Sequence, residues 1–422
     1  MDVAAAFGRW RLGPCRYRAV SPFRCDVGVI GGGVGMPDDN SATCSERFPT
    51  GGLDVRLAWL RLMAAMVVMA GAVSPPGSAA AFGTIEGGGQ HRAHERITRA
   101  ALACASAAGV DGNCFEPRSM DLLAGRDPSF GGVGAPDSDE LSDPTAHCDN
   151  ADFLVEASYP RTRDLATAGL MDCVNHLRLR FDEGIDGAAD LVDAQGRVMS
   201  AEVRLDPRDC RLVEGLEDRA KCTSLEGLGR VLHGAQDFYA HSNWADEADP
   251  TRPVGADNPP GLDLPGPSAM LDLRTDGTPT VPVDLSTGCY ALKDQVPGVG
   301  ECAGRVTHAA LNKDNGLVDP TTGDVAEPTR PRGMVKENFA KAVAGAIAET
   351  QRQWRDFQSE LSARYGQENG ALMVCGLTHD DPVNDCPDRQ WIGVIVGLLL
   401  AGCAALIAVV LLIVLGRRRR RG

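Results

Sequence analysis

The chain ends in a long apolar segment that limits what the rest of it can fold into. Residues 391–416 read WIGVIVGLLLAGCAALIAVVLLIVLG without a charged side chain, and Arg417–Arg421 follow directly. About 20 apolar residues suffice for a helix to cross a bilayer, and clustered Lys and Arg stay on the cytoplasmic side. The sequence therefore predicts one transmembrane helix over 391–416, a cytoplasmic arginine tail over 417–422, and a body that lies outside the cell.

A second apolar segment has the layout of a secretory signal peptide. Arg56 and Arg61 come before an apolar run that is too short to span a bilayer, and the small residues 79–81 form an A-x-A cleavage site. This pattern predicts a signal peptide over 53–81 and Phe82 as the first residue of the mature protein. An uncleaved membrane anchor is the alternative.

The residues before this signal peptide do not have the pattern of a folded segment. Residues 1–52 are rich in Gly, Arg and Pro and show no sustained periodicity. We expect them to be unstructured, and we expect the true translation start to lie near residues 53–56.

The cysteines agree with export of the body. The chain has 14 cysteines, and the ten between Phe82 and the C-terminal apolar segment form an even set. Outside the cytosol such a set indicates disulfides. Bridges between neighbours in sequence are the simplest scheme, with Cys104–Cys114 and Cys375–Cys386 preferred and other pairings left open.

The charge balance argues against a nucleic-acid partner. The chain carries 57 Asp and Glu against 42 Lys and Arg, a formal net charge of −15, and five of the arginines lie in the predicted tail. An acidic surface repels phosphate backbones and attracts cations. We therefore do not expect the body to bind nucleic acid.

The periodic segments of the body are helical, and no run of alternating strands appears. Apolar residues recur at helical spacing, while residues 249–288 are rich in Pro and Gly and predict a long irregular loop. We predict an all-α fold: a single helical ectodomain over 82–375 and a stalk over 376–390. The predicted stripes at helical spacing are Phe339, Val343, Ile347, Trp354, Phe357 and Leu361 in one helix, and Leu165, Ala168, Asp172, His176 and Leu179 in another.

The stretch GRVLHGAQDFYAHSNW, residues 229–244, places His233, Asp237 and His241 four residues apart. On a helix such residues point to the same side, but the two histidines lie about 12 Å apart along the axis. The carboxylate between them could bridge two metal ions about 3.5–4 Å apart, provided that the helix ends near His241, and SNW is a suitable place for it to end. The alternative is a buried polar stripe held by hydrogen bonds.

These residues also carry a family resemblance. HERITRAAL, residues 94–102, and LHGAQDFYAHSNW, residues 232–244, resemble the Het-C-like family, and the body as a whole resembles the actinobacterial CinY group within it. The order of the histidine segments is further similar to that of the zinc-dependent phospholipases C and the related single-strand-specific zinc nucleases. Those are all-α enzymes with a three-zinc cluster in a cleft. The resemblance implies a phospholipase C-like fold that holds two or three zinc ions.

The resemblance also implies a set of site residues. The metal ligands would be the backbone of Phe82 as the mature N-terminus, with His94, His147, His233, Asp237, His241 and His308. Asp137 is the candidate for the Asp that acts on water, although spacing does not separate it from Asp139 or Asp143. The chain departs from the enzymes at Asn312, where a carboxylate is expected, and in the short gap between Asp237 and His241.

Two functions follow from these residues. One is a cell-surface phosphodiester hydrolase, tethered to a membrane, whose substrates would be phospholipid head groups. The other is a non-catalytic surface interaction or adhesion module, stabilised by disulfides, in which the same residues hold a structural ion or none. The departure at Asn312 favours the second function.

Overall fold

The computed structural model of the protein describes residues 82–87, 90–106, 113–205, 210–212, 218–275, 277–290, 302–386 and 407. Every described residue belongs to one compact unit, Val73–Gly422. The predictions for 1–52, 53–81, 391–416 and 417–422 therefore lie outside the described residues, apart from Ile407. Within the described ranges, no helix combines the length and the apolar character that a bilayer crossing requires.

The described part of the body is predominantly helical, which confirms the sequence prediction. Two small antiparallel sheets accompany the helices: β1 (Glu86–Gly87) pairs with β2 (Gln90–His91), and β3 (Leu317–Val318) pairs with β4 (Val325–Ala326). The helices are α1 (Ala93–Leu102), α2 (Pro117–Ala124), α3 (Gly131–Gly134), α4 (Pro136–Asp139), α5 (Arg163–Gly187), α6 (Ala220–His241), α7 (His308–Leu311), α8 (Asn338–Tyr365), α9 (Gln367–Thr378) and α10 (Pro382–Asp385), with short 3-10 turns at Ala189–Leu191 and Ala269–Leu271.

Helix α6 forms the centre of the body and packs mainly against α5, α8 and α3. Two glycines allow its neighbours to approach closely. A Cβ atom at Gly229 would lie 2.2 Å from the carbonyl carbon of Gly132 on α3, and one at Gly227 would lie 2.5 Å from the Cα of Gly184 on α5. Any larger side chain at these positions would push the helices apart. Helix α6 is therefore a fixed support for the side chains it carries.

The apolar stripe predicted for the longest helix is confirmed. On α8, Phe339, Val343, Trp354, Phe357 and Leu361 are buried in the core, and Ile347 packs against it. Because this stripe spans many turns, only one rotation of the helix buries it, and the same face also buries Glu349, Thr350 and Gln353.

The stripe predicted for α5 is wrong. Leu165 and Leu179 are 57% and 54% exposed, because this helix buries a different face. That face carries more apolar area and includes Cys173, which is bonded to Cys148. Its buried apolar side chains are Ala166, Leu170, Cys173, Val174, Leu177, Phe181 and Ile185.

Cysteines that are neighbours in sequence are paired, as the simplest scheme predicts. One bridge ties Cys148 to α5, and another joins Cys289 to Cys302. The pairs are Cys104–Cys114, Cys148–Cys173, Cys210–Cys222, Cys289–Cys302 and Cys375–Cys386.

The segment predicted as a stalk packs against the body over most of its length. Thr378 is buried, and the fully buried Lys221 donates to the carbonyl oxygen of His379 at 2.8 Å. The carboxylate of Asp380 accepts from the backbone N–H of Ser119 at 2.8 Å. The folded body therefore extends through residue 386 and not only to residue 375, because these buried polar contacts hold the segment down. Residues 387–390 lie outside the described ranges.

The end of α6 is fixed by the SNW sequence, as predicted. The helix ends at His241, and Ser242 is extended. The side chain of Asn243 donates to the carbonyl oxygens of Pro260 and Asp284 at 2.7 and 2.8 Å. These bonds tie the irregular loop over 249–288 to the C-terminal end of α6.

Candidate metal centre

Side chains from distant parts of the chain meet at the C-terminal half of α6. They fall into two sets, which we call the first and second donor groups. The first donor group is His94, Asp137, His147, His233 and Asp237, and the second is Asp149, His241, His308 and Asp314. Both contain sets of three in which one potential ligand atom per residue lies within 4.8 Å of the others, so either group could hold a metal ion.

Asp237 is the centre of the first donor group. One of its oxygens, Oδ1, lies 3.2 Å from Nε2 of His94. The other, Oδ2, lies 3.0 Å from Nδ1 of His147 and 3.1 Å from Nε2 of His233. All four residues are buried. One carboxylate thus faces three imidazoles in a space closed to bulk solvent.

Two of these histidines are oriented by hydrogen bonds at their outer nitrogens. Nδ1 of His94 lies 2.7 Å from Oε1 of Gln236, whose amide nitrogen donates to Thr98 and Thr350. Because the Gln236 amide is fixed in this way, its oxygen must accept the proton of His94. Likewise Nδ1 of His233 donates to a backbone carbonyl oxygen at 2.8 Å. With their outer protons fixed in this way, both rings direct Nε2 into the cluster, where it can bind a metal ion once it is deprotonated, as is typical of metal-bound histidine.

Asp137 completes the first donor group from the short helix α4. Its Oδ2 accepts a hydrogen bond from the hydroxyl of Thr84 at 2.5 Å, while Oδ1 lies 3.8 Å from Nε2 of His233. The other two candidates lie elsewhere: Asp139 binds Arg230, and Asp143 caps its own turn. Among the three aspartates that spacing could not separate, Asp137 is the one beside the histidines.

Phe82 also lies at this group. It is fully buried, and its ring packs edge-on against that of His94 with centroids 5.9 Å apart. The residue that the sequence predicts as the mature N-terminus is thus a direct neighbour of a candidate ligand.

The second donor group surrounds the carboxylate of Asp149. Its Oδ2 lies 3.0 Å from Nδ1 of His308 and 3.5 Å from Nδ1 of His241. Nε2 of His241 lies 3.0 Å from Oδ1 of Asp314. If Nε2 of His241 donates to Asp314, its Nδ1 presents a lone pair toward Asp149.

Asn312 determines which ring nitrogen of His308 carries the proton. Its Oδ1 accepts the backbone N–H of Asp314 at 2.9 Å, so its Nδ2 is the atom that faces Nε2 of His308 at 3.1 Å. An amide nitrogen can only donate. His308 must therefore accept at Nε2 and carry its proton on Nδ1, which donates to Asp149. In this arrangement His308 donates to Asp149, so the set of Asp149, His241 and His308 offers a metal only the first two as ligands unless the proton of His308 moves to Nε2.

The electrostatics of the two groups reflect their burial and their opposite charges. Burial lowers the pKa of His147, but the hydrogen bond and charge of Asp237 outweigh this effect and raise it to about 9. Burial likewise opposes protonation of His241, whose pKa the charges of Asp314 and Asp149 raise to about 10. For Asp237, burial raises the pKa, and the neighbouring imidazoles lower it well below its ordinary value.

A buried ion network holds the helix that carries Asp137. Arg230 on α6 donates to both oxygens of Asp139 at 2.7 and 2.9 Å, and it also contacts Glu140 at 2.5 Å and Glu226 at 2.8 Å. Because Asp139 and Glu140 lie at the end of α4, these bonds fix α4 against α6. The position of Asp137 thus depends on Arg230.

A second buried charge holds the loop that carries Asp314. Lys313 is fully buried, and its ammonium donates to the carbonyl oxygens of Ser242 and Leu311, both at 2.8 Å. It also contacts Asp246 at 3.0 Å. These bonds join the loop to the end of α6, where His241 lies.

Two members of the clusters were not predicted from the sequence. Asp149 lies two residues after His147 in HCDNAD, so its proximity to a predicted ligand could have identified it. Asp314 lies two residues after the expected carboxylate position, Asn312, in a loop without periodicity. Tertiary contacts, among them those of Lys313, bring Asp314 to His241.

A pocket of about 370 Å³ adjoins the second donor group. Its wall includes Tyr290, whose ring centroid lies 5.3 Å from that of His308.

Comparison of the chain with protein-family models, curated proteins and solved structures finds no match.

Proposed function

We propose that the two donor groups bind zinc and that the body is a zinc-dependent phosphodiester hydrolase with a phospholipase C-like fold, tethered at the outer face of a membrane. One observation supports metal binding above all others. Seven buried polar atoms of the two groups have no hydrogen-bond partner among the described residues: His94 Nε2, Asp137 Oδ1, His147 Nε2, Asp149 Oδ1, Asp237 Oδ1, His241 Nδ1 and Asp314 Oδ2.

These atoms destabilise the metal-free fold unless a proton or a cation lies between them. A buried polar atom without a partner costs about 1–3 kcal/mol. His94 Nε2 and Asp237 Oδ1 lie only 3.2 Å apart, so a proton on His94 would satisfy this pair, whereas Asp137 Oδ1 and Asp314 Oδ2 lie 3.8 and 3.9 Å from histidine nitrogens. Cations offset this cost, because every one of these atoms is an oxygen or imidazole nitrogen of the kind that zinc accepts.

The chain's own residues have distinct roles in this proposal. His94, His147, His233 and Asp237 would hold metal in the first donor group, and the second would use Asp149 and His241 as ligands. A bound zinc ion would polarise a phosphoryl oxygen and lower the pKa of water.

Asp137 is the proposed general base. The Thr84 hydroxyl orients its carboxylate through Oδ2, and Oδ1 faces the first donor group with no hydrogen-bond partner among the described residues. A carboxylate oxygen oriented in this way can accept a proton from an attacking water.

The proposed substrate is a phospholipid head group. The predicted tether would keep the body near a bilayer surface, whereas the net charge of −15 disfavours a polyanionic nucleic acid. The sequence resemblance to zinc-dependent phospholipases C supports the same reaction class.

A second function is favoured by the burial of the ligands. His233, Asp237 and His241 are each 0% exposed, and structural zinc sites are closed by protein ligands, whereas catalytic sites keep one coordination position open. Asn312, in place of a carboxylate, removes one ligand from the second group. In this alternative the ions stabilise a non-catalytic interaction module.

Turnover with and without metal separates the two functions. The full-length chain, purified in detergent, is assayed on bis(p-nitrophenyl) phosphate and on phospholipid micelles, before and after chelator treatment and after zinc is restored. We expect hydrolysis that the chelator abolishes and zinc restores. Bound zinc without turnover on either substrate would favour the structural function.

Two matched variants test the role of Asp137. Asp137→Asn should abolish turnover and leave most of the zinc bound, whereas Asp143→Asn, a change of the same kind in the same segment, should preserve turnover. Equal activity of the Asp137→Asn variant and the wild type would exclude Asp137 as the base.

A further inference from the structure

Residues 146–150 supply one candidate ligand to each donor group. His147 belongs to the first donor group and Asp149 to the second, and both are buried. Cys148 stands between them in the chain and is bonded to Cys173 on α5. Of the bridges between described cysteines, this is the one with a cysteine beside a donor-group residue in the sequence. One covalent bond is therefore located next to a candidate ligand of each group.

The segment 146–150 lies between α5 and α6 and contacts the backbone of both helices. A Cβ atom at Gly234 on α6 would lie 2.6 Å from the carbonyl oxygen of Ala146. One at Gly169 on α5 would lie 2.7 Å from the carbonyl oxygen of Asn150. The two ends of the segment are thus fixed by packing, and the disulfide fixes its middle.

The backbone at the disulfide adopts a conformation that L residues other than Asn and Asp seldom adopt. The φ angle is +52° at Cys148 and +63° at Asn150, which places both residues in the left-handed region. Such a conformation persists where the surrounding structure imposes it. At Cys148 the bond to the fully buried Cys173 is a covalent constraint of this kind.

The ligands on α6 do not depend on a cross-link in the same way. His233, Asp237 and His241 lie on one helix, whose backbone hydrogen bonds hold them in register. His147 and Asp149 lie in turns outside the helices and strands. A movement of their segment would take one ligand away from each donor group at the same time.

We propose that the Cys148–Cys173 bond is a positioning element of the metal centre, which sets the zinc affinity of both donor groups together. This inference rests on the proposed metal binding and identifies the part of the chain on which both groups depend. Both cysteines are fully buried, so a dissolved reductant reaches the bond only when the segment opens. Zinc held by His147 and Asp149 would oppose that opening.

Removal of the bond tests the proposal. Zinc is titrated against a fluorescent chelator into the full-length Cys148→Ala/Cys173→Ala chain in detergent, and cobalt(II) then replaces zinc, because its visible absorption depends on the number and geometry of its ligands. Groups that orient metal-bound side chains typically change metal affinity by about 10–100-fold. We therefore expect every zinc dissociation constant to rise at least about tenfold and the cobalt spectrum to change.

The matched control is Cys375→Ala/Cys386→Ala. That bridge encloses His379, which Lys221 contacts in the first turn of α6, so it lies at the opposite end of this helix from His241. Its loss should lower the unfolding temperature but leave the zinc constants and the cobalt spectrum as in the wild type. Unchanged zinc constants in folded Cys148→Ala/Cys173→Ala protein, or a loss confined to one zinc ion, would overturn the proposal.

A measurement on the wild type does not depend on the folding of a variant. If the bond strengthens zinc binding, zinc must stabilise the bond by the same factor, because linkage is reciprocal. The protein is treated with a phosphine reductant with and without zinc, and the freed thiols are alkylated and located by mass spectrometry. Zinc should protect Cys148–Cys173 more than Cys375–Cys386. Equal protection of the two bridges, or faster reduction of Cys148–Cys173 with zinc, would contradict the proposal.

These results separate the inference from the proposed function. If the wild type binds zinc and hydrolyses phosphodiesters, and the Cys148→Ala/Cys173→Ala variant keeps its zinc affinity, the positioning role fails and the hydrolase stands. If the variant loses zinc affinity but the zinc-loaded wild type hydrolyses no substrate, the hydrolase fails and the positioning role stands. A wild type that binds no zinc would overturn both.

Discussion

Replacement of Asn312 by Asp should turn an orienting histidine into a metal ligand. In the wild type, Nδ2 of Asn312 donates to Nε2 of His308 at 3.1 Å, which keeps the proton of His308 on Nδ1 and directs it to Asp149. A carboxylate of the same shape still accepts the backbone N–H of Asp314 through one oxygen. Its other oxygen can only accept, so Nε2 of His308 would carry the proton and donate to it. The lone pair of His308 Nδ1 would then be available to a metal ion.

The size of the effect follows from the ligand count. The second donor group would gain a third protein ligand, Nδ1 of His308, beside Asp149 and Nδ1 of His241. Partners that orient metal-bound histidine typically change metal affinity by about 10–100-fold, or about 1.4–2.7 kcal/mol. The metal-free variant should be less stable than wild type, because a fourth buried negative charge joins Asp149, Asp237 and Asp314.

A zinc titration of the full-length chain against a fluorescent chelator, together with thermal unfolding of the metal-free protein, measures both effects. We expect Asn312→Asp to bind its weakest zinc ion at least about tenfold more tightly and to unfold at a lower temperature without metal. The gain should disappear when His308→Gln is added. Unchanged or weaker zinc binding, or a gain that persists without His308, would refute the proton assignment of His308.

Three further predictions concern packing, pH and the ion network. Gly229→Ala should destabilise the protein by about 1–3 kcal/mol, because its Cβ would lie 2.2 Å from the backbone of Gly132; Gly277→Ala, with no atom near its Cβ, is the control, and equal unfolding temperatures would contradict the close packing. In metal-free protein the pKa values of His147 and His241 are raised from 6.5 to about 9 and about 10, so their contribution to stability is complete below pH 6.5 and is lost as the pH rises through these values. Zinc affinity should rise over the same range, since imidazole binds metal only when deprotonated, and a flat pH profile of both quantities would contradict this. Arg230→Met removes the cation that Asp139 and Glu140 share, although Glu140 keeps Arg180 at 2.6 Å, and should cost about 1–3 kcal/mol and reduce turnover more than zinc content; an active variant of wild-type stability would show that the network does not position Asp137.

The parts of the fold that depend on local pattern could be predicted from the sequence. The apolar repeat of α8 is long, so it predicts Phe339 and Phe357 as core residues. The end of α6 followed from SNW, because Asn243 favours non-helical backbone and its side chain binds the following loop. Pairing of neighbouring cysteines such as Cys104 and Cys114 likewise required only short loops.

The parts that depend on tertiary contacts could not be predicted. On α5, two faces compete, and the packing against α6 through Gly184, not the repeat of Leu165 and Leu179, decides which one is buried. Asp314 approaches His241 because the ammonium and the backbone N–H of Lys313 hold the loop to the end of α6. The local sequence pattern does not predict such a tertiary contact.

The metal content of the protein shows whether the two donor groups hold metal. The full-length chain is purified without added metal, passed through gel filtration, and analysed by inductively coupled plasma mass spectrometry before and after incubation with zinc. We predict at least about one zinc ion per chain, and markedly less in the Asp237→Ala variant, because Asp237 contacts three candidate histidines. If both wild-type samples keep a helical circular dichroism spectrum but contain no more zinc than the buffer, the two donor groups do not hold zinc.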